Sequence, residues 1–328
     1  MDQKNKSDFE KVIFISFAGR EKYLEIQKMF IFELLSQNPT YELHLWNFSR
    51  NSRDNLYLQE LANSSNQIKI FNQYYEGDNN VELCIKAEGV VCGCKKCRVG
   101  KWTEPYKYYS QDDSFREALF VKLDDDIVFL ETRRFSEFLR QLKAHPGKIL
   151  SASVINNGLC AYLDKNLHQI VKKEMLLNQV NKKKSSLELF IRSTSLFKRI
   201  LKKDITAINW WRLCISANFF RVAHQYFFSN IDSILARPIH VVPIPQSRFS
   251  INTIAFNWMV MCDIYKKIGS EQSMNDEAII SEGFQIYMCN GFVTSHLHFA
   301  DQRASINDEE EEMILDKYRS VMHQYLKT

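Results

Sequence analysis

Three consecutive aspartates, Asp124, Asp125 and Asp126, are the residues of this sequence whose type and spacing most clearly suggest chemistry. They lie between two apolar runs, residues 120–123 and 127–130, and each run is typical of a buried strand. Carboxylates crowded at the end of a buried strand repel one another, so a cation or water must share their charge. Mg²⁺ or Mn²⁺ suits such oxygen ligands, especially beside phosphate groups. An acidic turn without a metal is the alternative, and the apolar flanks make us favour a metal–phosphate site.

The elements that must position these aspartates form a regular pattern in the part of the chain that precedes them. Strands are predicted at 11–18, 42–48 and 67–72, and helices at 21–37 and 53–62. This alternation predicts an α/β fold with parallel strands and helices on the faces of the sheet. In such sheets, ligands bind beyond the carboxyl ends of the strands. The aspartates are predicted to lie at that edge.

Four further residues lie at the carboxyl ends of the first two predicted strands. Gly19 would let the backbone approach a ligand closely, and Arg20 suits a phosphate group. Trp46 and Asn47 end the second strand. An ordinary surface arginine and a core tryptophan are the structural alternatives for Arg20 and Trp46.

A cysteine cluster lies in the segment 84–97. Cys84, Cys92, Cys94 and Cys97 could supply four thiolates to a structural Zn²⁺, with no position left open for catalysis. Their spacing differs from the usual paired C-x₂-C pattern, so a loop with free thiols or a redox-labile pair is the alternative.

The second half of the chain contains weaker candidates. A strand is predicted at 148–156, ending in Asn156, and residues 165–203 form a basic segment with helical character. A solvated helix face explains that segment more simply than a nucleic-acid or membrane patch. Trp210 and Trp211 could stack on a ligand, although adjacent tryptophans more often fill a core.

Two pairs near the C-terminus could take part in catalysis or metal binding. Asp276 and Glu277 begin a predicted helix, where they could serve as a general base or simply cap the helix. His296 and His298 are two residues apart, so in a strand they would share one face. An imidazole can complete a carboxylate site for Mn²⁺. The tail from residue 308 predicts an amphipathic, solvated terminal helix.

The composition limits the classes of protein that remain. Of 328 residues, 45% are apolar, which allows a large core, and the net charge of +4 is too small to predict nucleic-acid binding by itself. No apolar run is long enough to span a membrane and the N-terminal segment 1–11 is polar, which predicts a cytoplasmic protein without a transmembrane segment. Cysteines in that compartment are expected to be thiols or metal ligands rather than disulfides.

Taken together, these segments resemble a GT-A type nucleotide-sugar glycosyltransferase. Residues 123–129 (Leu-Asp-Asp-Asp-Ile-Val-Phe) are similar to the D-x-D strand of that family. Further similarity lies in residues 17–20, 45–47 with Asp54 and Tyr57, 106–109, 151–156, Ser295-His296 and Gln302-Arg303. The resemblance covers residues 11–303 in separated islands. The cysteine cluster and the basic helical segment fall outside it and are expected to be insertions, which could recognise the acceptor.

The resemblance implies roles for particular residues. Asp126 would bind Mn²⁺ or Mg²⁺, with Asp124 beside it and His296 as a further ligand; His298 is the substitute for His296. An acidic pair facing the acceptor would correspond to Asp276 and Glu277. The expected donor-binding residues are Phe17, Gly19, Arg20, Trp46, Asn47, Lys122, Asp124 and Asp125, and the expected acceptor-binding residues are Asn156, Trp210 and Trp211.

The resulting prediction is a metal-dependent glycosyltransferase with a mixed sheet flanked by helices, which moves a hexosyl or pentosyl group from a nucleotide-sugar to an acceptor hydroxyl. Residues 1–130 would bind the donor and 131–303 the acceptor, with 304–328 as a C-terminal helix. The acceptor could be a glycan, a protein or a modified nucleic acid. The alternatives are a nucleic-acid-binding or nucleic-acid-modifying protein, including a glycosyltransferase acting on modified DNA, and a nucleotidyltransferase or phosphotransferase using the same carboxylates.

Overall fold

A computed structural model describes residues 11–72, 101–182, 216–270 and 276–327 of the chain. The described strands are β1 Val12–Ala18, β2 Tyr41–Asn47, β3 Ile68–Phe71, β4 Leu119–Asp124, β5 Ile127–Leu130, β6 Ile149–Ile155, β7 His240–Pro243, β8 Thr253–Asn257 and β9 Ile286–His296. The described helices are α1 Glu21–Gln37, α2 Ser52–Asn63, α3 Lys101–Ser110, α4 Phe135–Ala144, α5 Gly158–Leu163, α6 Lys165–Lys182, α7 Ala217–Leu235, α8 Trp258–Ser270, α9 Asp276–Gly283, α10 Ala300–Arg303 and α11 Asp308–Lys327. The fold is therefore α/β.

The strands form one mixed sheet in the order β3-β2-β1-β4-β8-β6-β9-β5, with β7 paired to β9. Strands β1 to β3 are parallel to one another and β4 is parallel to β1, as the alternating pattern predicts, whereas β8 is antiparallel to both β4 and β6. The strands from β1 to β5 and those from β6 to β9 belong to this same sheet. The two predicted halves of the protein therefore share one sheet.

Apolar runs explain why β1 and β4 lie at the centre of the sheet. All seven residues of β1 are buried, and so are the first five residues of β4. Helix α1 buries residues at helical spacing, including Leu24, Phe30 and Leu34. Its first turn lacks a side-chain cap from Arg20, and Asp54 instead accepts a hydrogen bond from the Glu21 amide at 2.9 Å. This contact fixes the start of α1 against α2.

Strand β9 changes partner along its length, and Gly291 makes this possible. Its first part pairs with β7 and its last residues pair with β5, while the register with β6 shifts between Ala152 and Ser153. Gly291 lies in the shifted stretch with φ of 88°, and a Cβ there would lie 2.6 Å from the Pro238 carbonyl oxygen. Only glycine fits this position. The irregularity carries the end of β9 to the first residue of β5, Ile127, beside the aspartates.

The C-terminal segment is helical, as predicted, but it is solvated on one face only. Leu315, Tyr318, Met322 and Tyr325 of α11 are buried, and Glu311 in its first turns is only 8% exposed. The predicted basic helical segment 165–203 is confirmed as helix over Lys165–Lys182, and its remainder lies outside the described residues. Within the described part of the chain, no helix is both long and apolar enough to cross a membrane.

Candidate metal centre

The last residue of β4 and the last residue of β9 meet at one edge of the sheet. Asp124 ends β4, Asp126 lies in the turn to β5, and His296 ends β9. Ile127 of β5 pairs with His296, and the Leu297 amide donates to the Asp126 carbonyl oxygen at 2.9 Å. One ligand atom from each of Asp124, Asp126 and His296 lies within 4.8 Å of the other two. Opposite ligands of Mg²⁺ are about 4.2 Å apart, so these groups need to move little to hold such an ion.

Two atoms in this group are buried without a hydrogen bond. Among the described residues, neither Asp126 Oδ1 nor His296 Nδ1 has a hydrogen-bond partner. Asp126 is 2% and His296 3% exposed, so water does not readily satisfy these atoms. Burying unsatisfied polar atoms costs about 1–3 kcal/mol each. A bound cation would remove that cost, and the site fits a divalent ion with oxygen and nitrogen ligands.

The middle aspartate points to a different partner. Asp125 accepts hydrogen bonds from the Gly19 amide at 3.1 Å and from Arg20 Nε at 3.0 Å. The other end of the Arg20 guanidinium lies 3.1 Å from Asp126 Oδ2. Asp125 therefore fixes the turn between β1 and α1, and the structure gives it this contact rather than a place in the metal group.

Protein cations share the charge of the three aspartates. Lys122, which is almost fully buried, donates to Asp124 Oδ1 at 2.9 Å, and Asn252 donates to Asp124 Oδ2 at the same distance. Burial opposes ionisation of Asp126, but Arg20 and His296 outweigh it and hold the Asp126 pKa well below its usual range. The repulsion inferred from the sequence is thus largely compensated by residues of the chain itself. Asp126 Oδ1 also lies 3.1 Å from His296 Nε2, so the stronger evidence for a cation is His296 Nδ1, which is buried without a hydrogen-bond partner among the described residues.

His298 does not share a strand face with His296, because β9 ends at His296. Its Nε2 lies 2.9 Å from Glu311 Oε2, and its Nδ1 lies 3.8 Å from Asp126 Oδ2. The prediction that both histidines project from one strand is wrong for this reason. The group that could hold a metal includes His296 and not His298.

The predicted acidic pair begins helix α9 and is held by other side chains. Asp276 begins α9, is buried, and accepts a hydrogen bond from the Tyr106 hydroxyl at 3.0 Å. Burial raises the pKa of Asp276, and Lys122 and Tyr106 oppose this effect. Glu277 is paired with Arg248 at 2.9 Å, and burial raises its pKa as well. Asp124 also raises the pKa of both groups.

The predicted donor-binding residues of β1 and β2 line the sheet beneath this edge. Phe17 packs against Phe48, and the Lys122 ammonium nitrogen lies 4.8 Å from the centre of the Phe17 ring. Trp46 is completely buried, stacks on Phe71 with ring centres 4.4 Å apart, and donates to Tyr109. These contacts are typical of a core tryptophan, which is the alternative to a ligand-binding role for Trp46. A direct contact of either aromatic ring with a donor stays a prediction.

Asn47 and Asn156 are both buried and hold backbone segments near the site. Asn47 accepts from the Ser49 amide at 3.1 Å and so shapes the loop after β2. Asn156, with φ of 64°, donates to the Leu297 carbonyl oxygen and exchanges hydrogen bonds with Gln302. It thereby fixes the segment that follows His296. Its predicted contact with an acceptor stays a prediction, and Trp210, Trp211, Cys84, Cys92, Cys94 and Cys97 lie outside the described residues.

Several residues of the site were not recognised in the sequence. Three of them form hydrogen bonds with candidate residues that are distant along the chain. Asn252 contacts Asp124, Tyr106 contacts Asp276, and Glu311 contacts His298. Tyr106 falls in one of the segments of family resemblance, which is the only signal that pointed to it. No local pattern marks Asn252 or Glu311, because neither motif spacing nor periodicity encodes contacts at such separations.

A buried hydrogen-bond network supports the strand that carries His296. His224 Nε2 contacts the Leu297 carbonyl oxygen at 2.8 Å, and His224 Nδ1 contacts the Tyr318 hydroxyl at 2.6 Å. The Tyr318 hydroxyl also contacts Ser295. Burial lowers the pKa of His224 to about 3, although the contact with Leu297 opposes this effect. His224 is therefore neutral at pH 7, with its Nε2 proton donated to Leu297.

We expect this histidine to make the protein less stable in mild acid. In the unfolded chain a histidine titrates near pH 6.5, so below that pH the unfolded state binds more protons and the free energy of unfolding falls. Between pH 7.5 and pH 5, His224 should account for a loss of about 2 kcal/mol. The free energy of unfolding, measured by urea denaturation at several pH values across this range, should vary less with pH for His224→Gln than for the wild type. The exposed His323→Gln serves as the control, and equal pH dependence of His224→Gln and wild type would refute the assignment.

The sequence was also compared with known proteins. No family model matches the chain, and no curated protein matches it. The functional interpretation therefore depends on the geometry of the group formed by Asp124, Asp126 and His296 and on its charged neighbours.

Proposed function

We propose that this protein is a metal-dependent glycosyltransferase with a GT-A type fold, which moves a sugar from a nucleotide-diphosphate sugar to an acceptor hydroxyl. The observation that carries the proposal is the group of Asp124, Asp126 and His296 at the carboxyl end of β4, with two buried atoms lacking a hydrogen bond. Ligand binding beyond the carboxyl ends of parallel strands is the general rule for such sheets. Asp124, Asp126 and His296 would hold Mn²⁺ or Mg²⁺ there.

The charges around the group suit a diphosphate. Arg20 lies 3.1 Å and Arg303 3.9 Å from Asp126 Oδ2, and their side chains are 31% and 41% exposed. A guanidinium group can bind two phosphate oxygens at once. The divalent ion, when bound, supplies Lewis-acid stabilisation of the charge on the leaving nucleoside diphosphate. Asp125 contributes by holding Arg20 and the Gly19 amide in place.

The acceptor hydroxyl requires a group that removes its proton. As the acceptor oxygen bonds to the anomeric carbon of the sugar and the bond to the diphosphate breaks, the hydroxyl proton passes to a carboxylate. We assign this role to Asp276, whose raised pKa makes it a better proton acceptor than an exposed aspartate. Tyr106 orients Asp276, and Arg248 holds Glu277 beside it.

A thermal-shift screen of nucleotide-sugars tests the proposal. With Mn²⁺ present, the correct donor at a hundred times its dissociation constant should add about 2.7 kcal/mol to the stability of the folded state. For a chain of this length that corresponds to a rise of about 4 °C in Tm. The same donor with EDTA, and Mn²⁺ without nucleotide, are the controls. If no UDP-, GDP-, ADP- or dTDP-sugar raises Tm more with Mn²⁺ than with EDTA, the proposal is wrong.

A further inference from the structure

His298 lies between the candidate metal centre and the C-terminal helix α11. Its side chain is fully buried, and its two ring nitrogens face opposite ways. Nε2 lies 2.9 Å from Glu311 Oε2 and 3.2 Å from the Tyr23 hydroxyl. Nδ1 faces Asp126 Oδ2 at 3.8 Å. The imidazole thus connects a helix at the end of the chain to the carboxylate of a candidate metal ligand.

Glu311 is itself fixed by helix α1. Its Oε1 accepts hydrogen bonds from the Tyr23 hydroxyl at 3.0 Å and from Lys22 Nζ at 2.7 Å. The other carboxylate oxygen, Oε2, is the one that contacts His298. Both oxygens of Glu311 are therefore held, and the orientation of the His298 ring follows from them.

The two oxygens of Asp126 have different surroundings. Oδ2 faces His298, Arg20 and Arg303, whereas Oδ1 lies 3.1 Å from His296 Nε2 and has no hydrogen bond among the described residues. Arg20 at 3.1 Å, with His298 at 3.8 Å and Arg303 at 3.9 Å, surrounds Oδ2 with donor groups that oppose rotation of the carboxylate. Oδ1 is thereby kept available on the side of His296.

We propose that Glu311 is a positioning residue of the metal centre, which acts through His298 to orient the Asp126 carboxylate so that Oδ1 faces the ion. The inference rests on the proposed function only in sharing the metal ion, and it assigns His298 a place outside the ligand set. The C-terminal helix is then part of the site rather than an appended element. Residues that orient metal ligands typically change metal affinity about 10- to 100-fold when they are replaced.

The test measures the affinity of the full-length chain for Mn²⁺ by electron paramagnetic resonance, without a sugar donor. Glu311→Gln should weaken binding about 10-fold. Glu310→Gln is the matched control, because Glu310 is the preceding residue of α11 and pairs with Arg221, whose side chain is 49% exposed. It should bind Mn²⁺ like the wild type. Equal affinity of Glu311→Gln and wild type would overturn the proposal.

Two further variants separate positioning from loss of stability and from direct ligation. Lys22→Met removes an ion pair of Glu311 but leaves its contacts with Tyr23 and His298, so it should lower Tm and should weaken Mn²⁺ binding clearly less than Glu311→Gln does. His298→Ala should weaken binding about as much as Glu311→Gln, and the double variant no more than either, since both act on one path. Multiplicative effects, or a loss of affinity in Lys22→Met equal to that in Glu311→Gln, would refute the path.

The spectrum of bound Mn²⁺ identifies the nitrogen ligand. Electron spin echo modulation from one imidazole nitrogen should disappear in His296→Ala and persist in His298→Ala. Its disappearance in His298→Ala would make His298 a ligand and overturn the positioning role. Absence of Mn²⁺ binding by the wild type would overturn both this inference and the metal site. Normal Mn²⁺ behaviour without any sugar transfer would refute only the proposed function.

Discussion

Replacing Asp126 by alanine is expected to lower the rate of sugar transfer by at least about 100-fold, the usual scale for losing a main electrostatic contribution to a transition state. The variant loses a carboxylate that belongs to the candidate ligand group. It should also lose the dependence of nucleotide-sugar binding on Mn²⁺. Transfer assays with added Mn²⁺ and with EDTA measure both effects. Full activity of the variant in EDTA would disprove the metal site.

The stability of Asp126→Ala is expected to differ from what the three adjacent aspartates of the sequence would suggest. Three adjacent acids would predict that removing one relieves repulsion and leaves stability unchanged or higher. In the structure, however, Arg20 and His296 each lie 3.1 Å from Asp126, and its pKa is held well below the usual range because of them. Breaking a buried pair costs about 3–5 kcal/mol. We therefore expect a lower urea midpoint for Asp126→Ala, and an unchanged midpoint would show that the pair contributes little.

Replacing Asp276 by asparagine is expected to lower the turnover number about 100-fold or more, which is the range for loss of a general base. Binding of Mn²⁺ and of the donor should stay close to that of the wild type, because Asp276 is not one of the three grouped ligands. Since burial raises the pKa of Asp276, the folded state disfavours its charged form, and the neutral variant should be at least as stable.

Steady-state kinetics and a Mn²⁺ titration test this second prediction together. Glu277→Gln is the matched control, because Glu277 is the next residue of α9 but is held by Arg248. It should reduce turnover less than Asp276→Asn. A full turnover number in Asp276→Asn would move the general base elsewhere, and weakened Mn²⁺ binding would assign Asp276 to the metal centre.

The sequence by itself determined the elements that carry the site. Residues 11–72 have continuous apolar runs for buried strands and helical periodicity for α1, and these local signals predict β1, α1, β2, α2 and β3 close to their observed bounds. The position of the three aspartates after a buried strand was predictable for the same reason. Alternation of strands and helices also predicted the parallel order of this region.

Only the tertiary structure decided what each side chain contacts. Asp125 and Asp126 are adjacent in the sequence, yet one binds the Gly19 amide and the other faces His296, because a turn directs neighbouring side chains to different sides. The register of β5 on β9 selects His296 over His298, and the packing of α11 on α1 brings Glu311 to the site. These contacts join residues from opposite ends of the chain, and local periodicity carries no information about them because they arise from packing of complete elements.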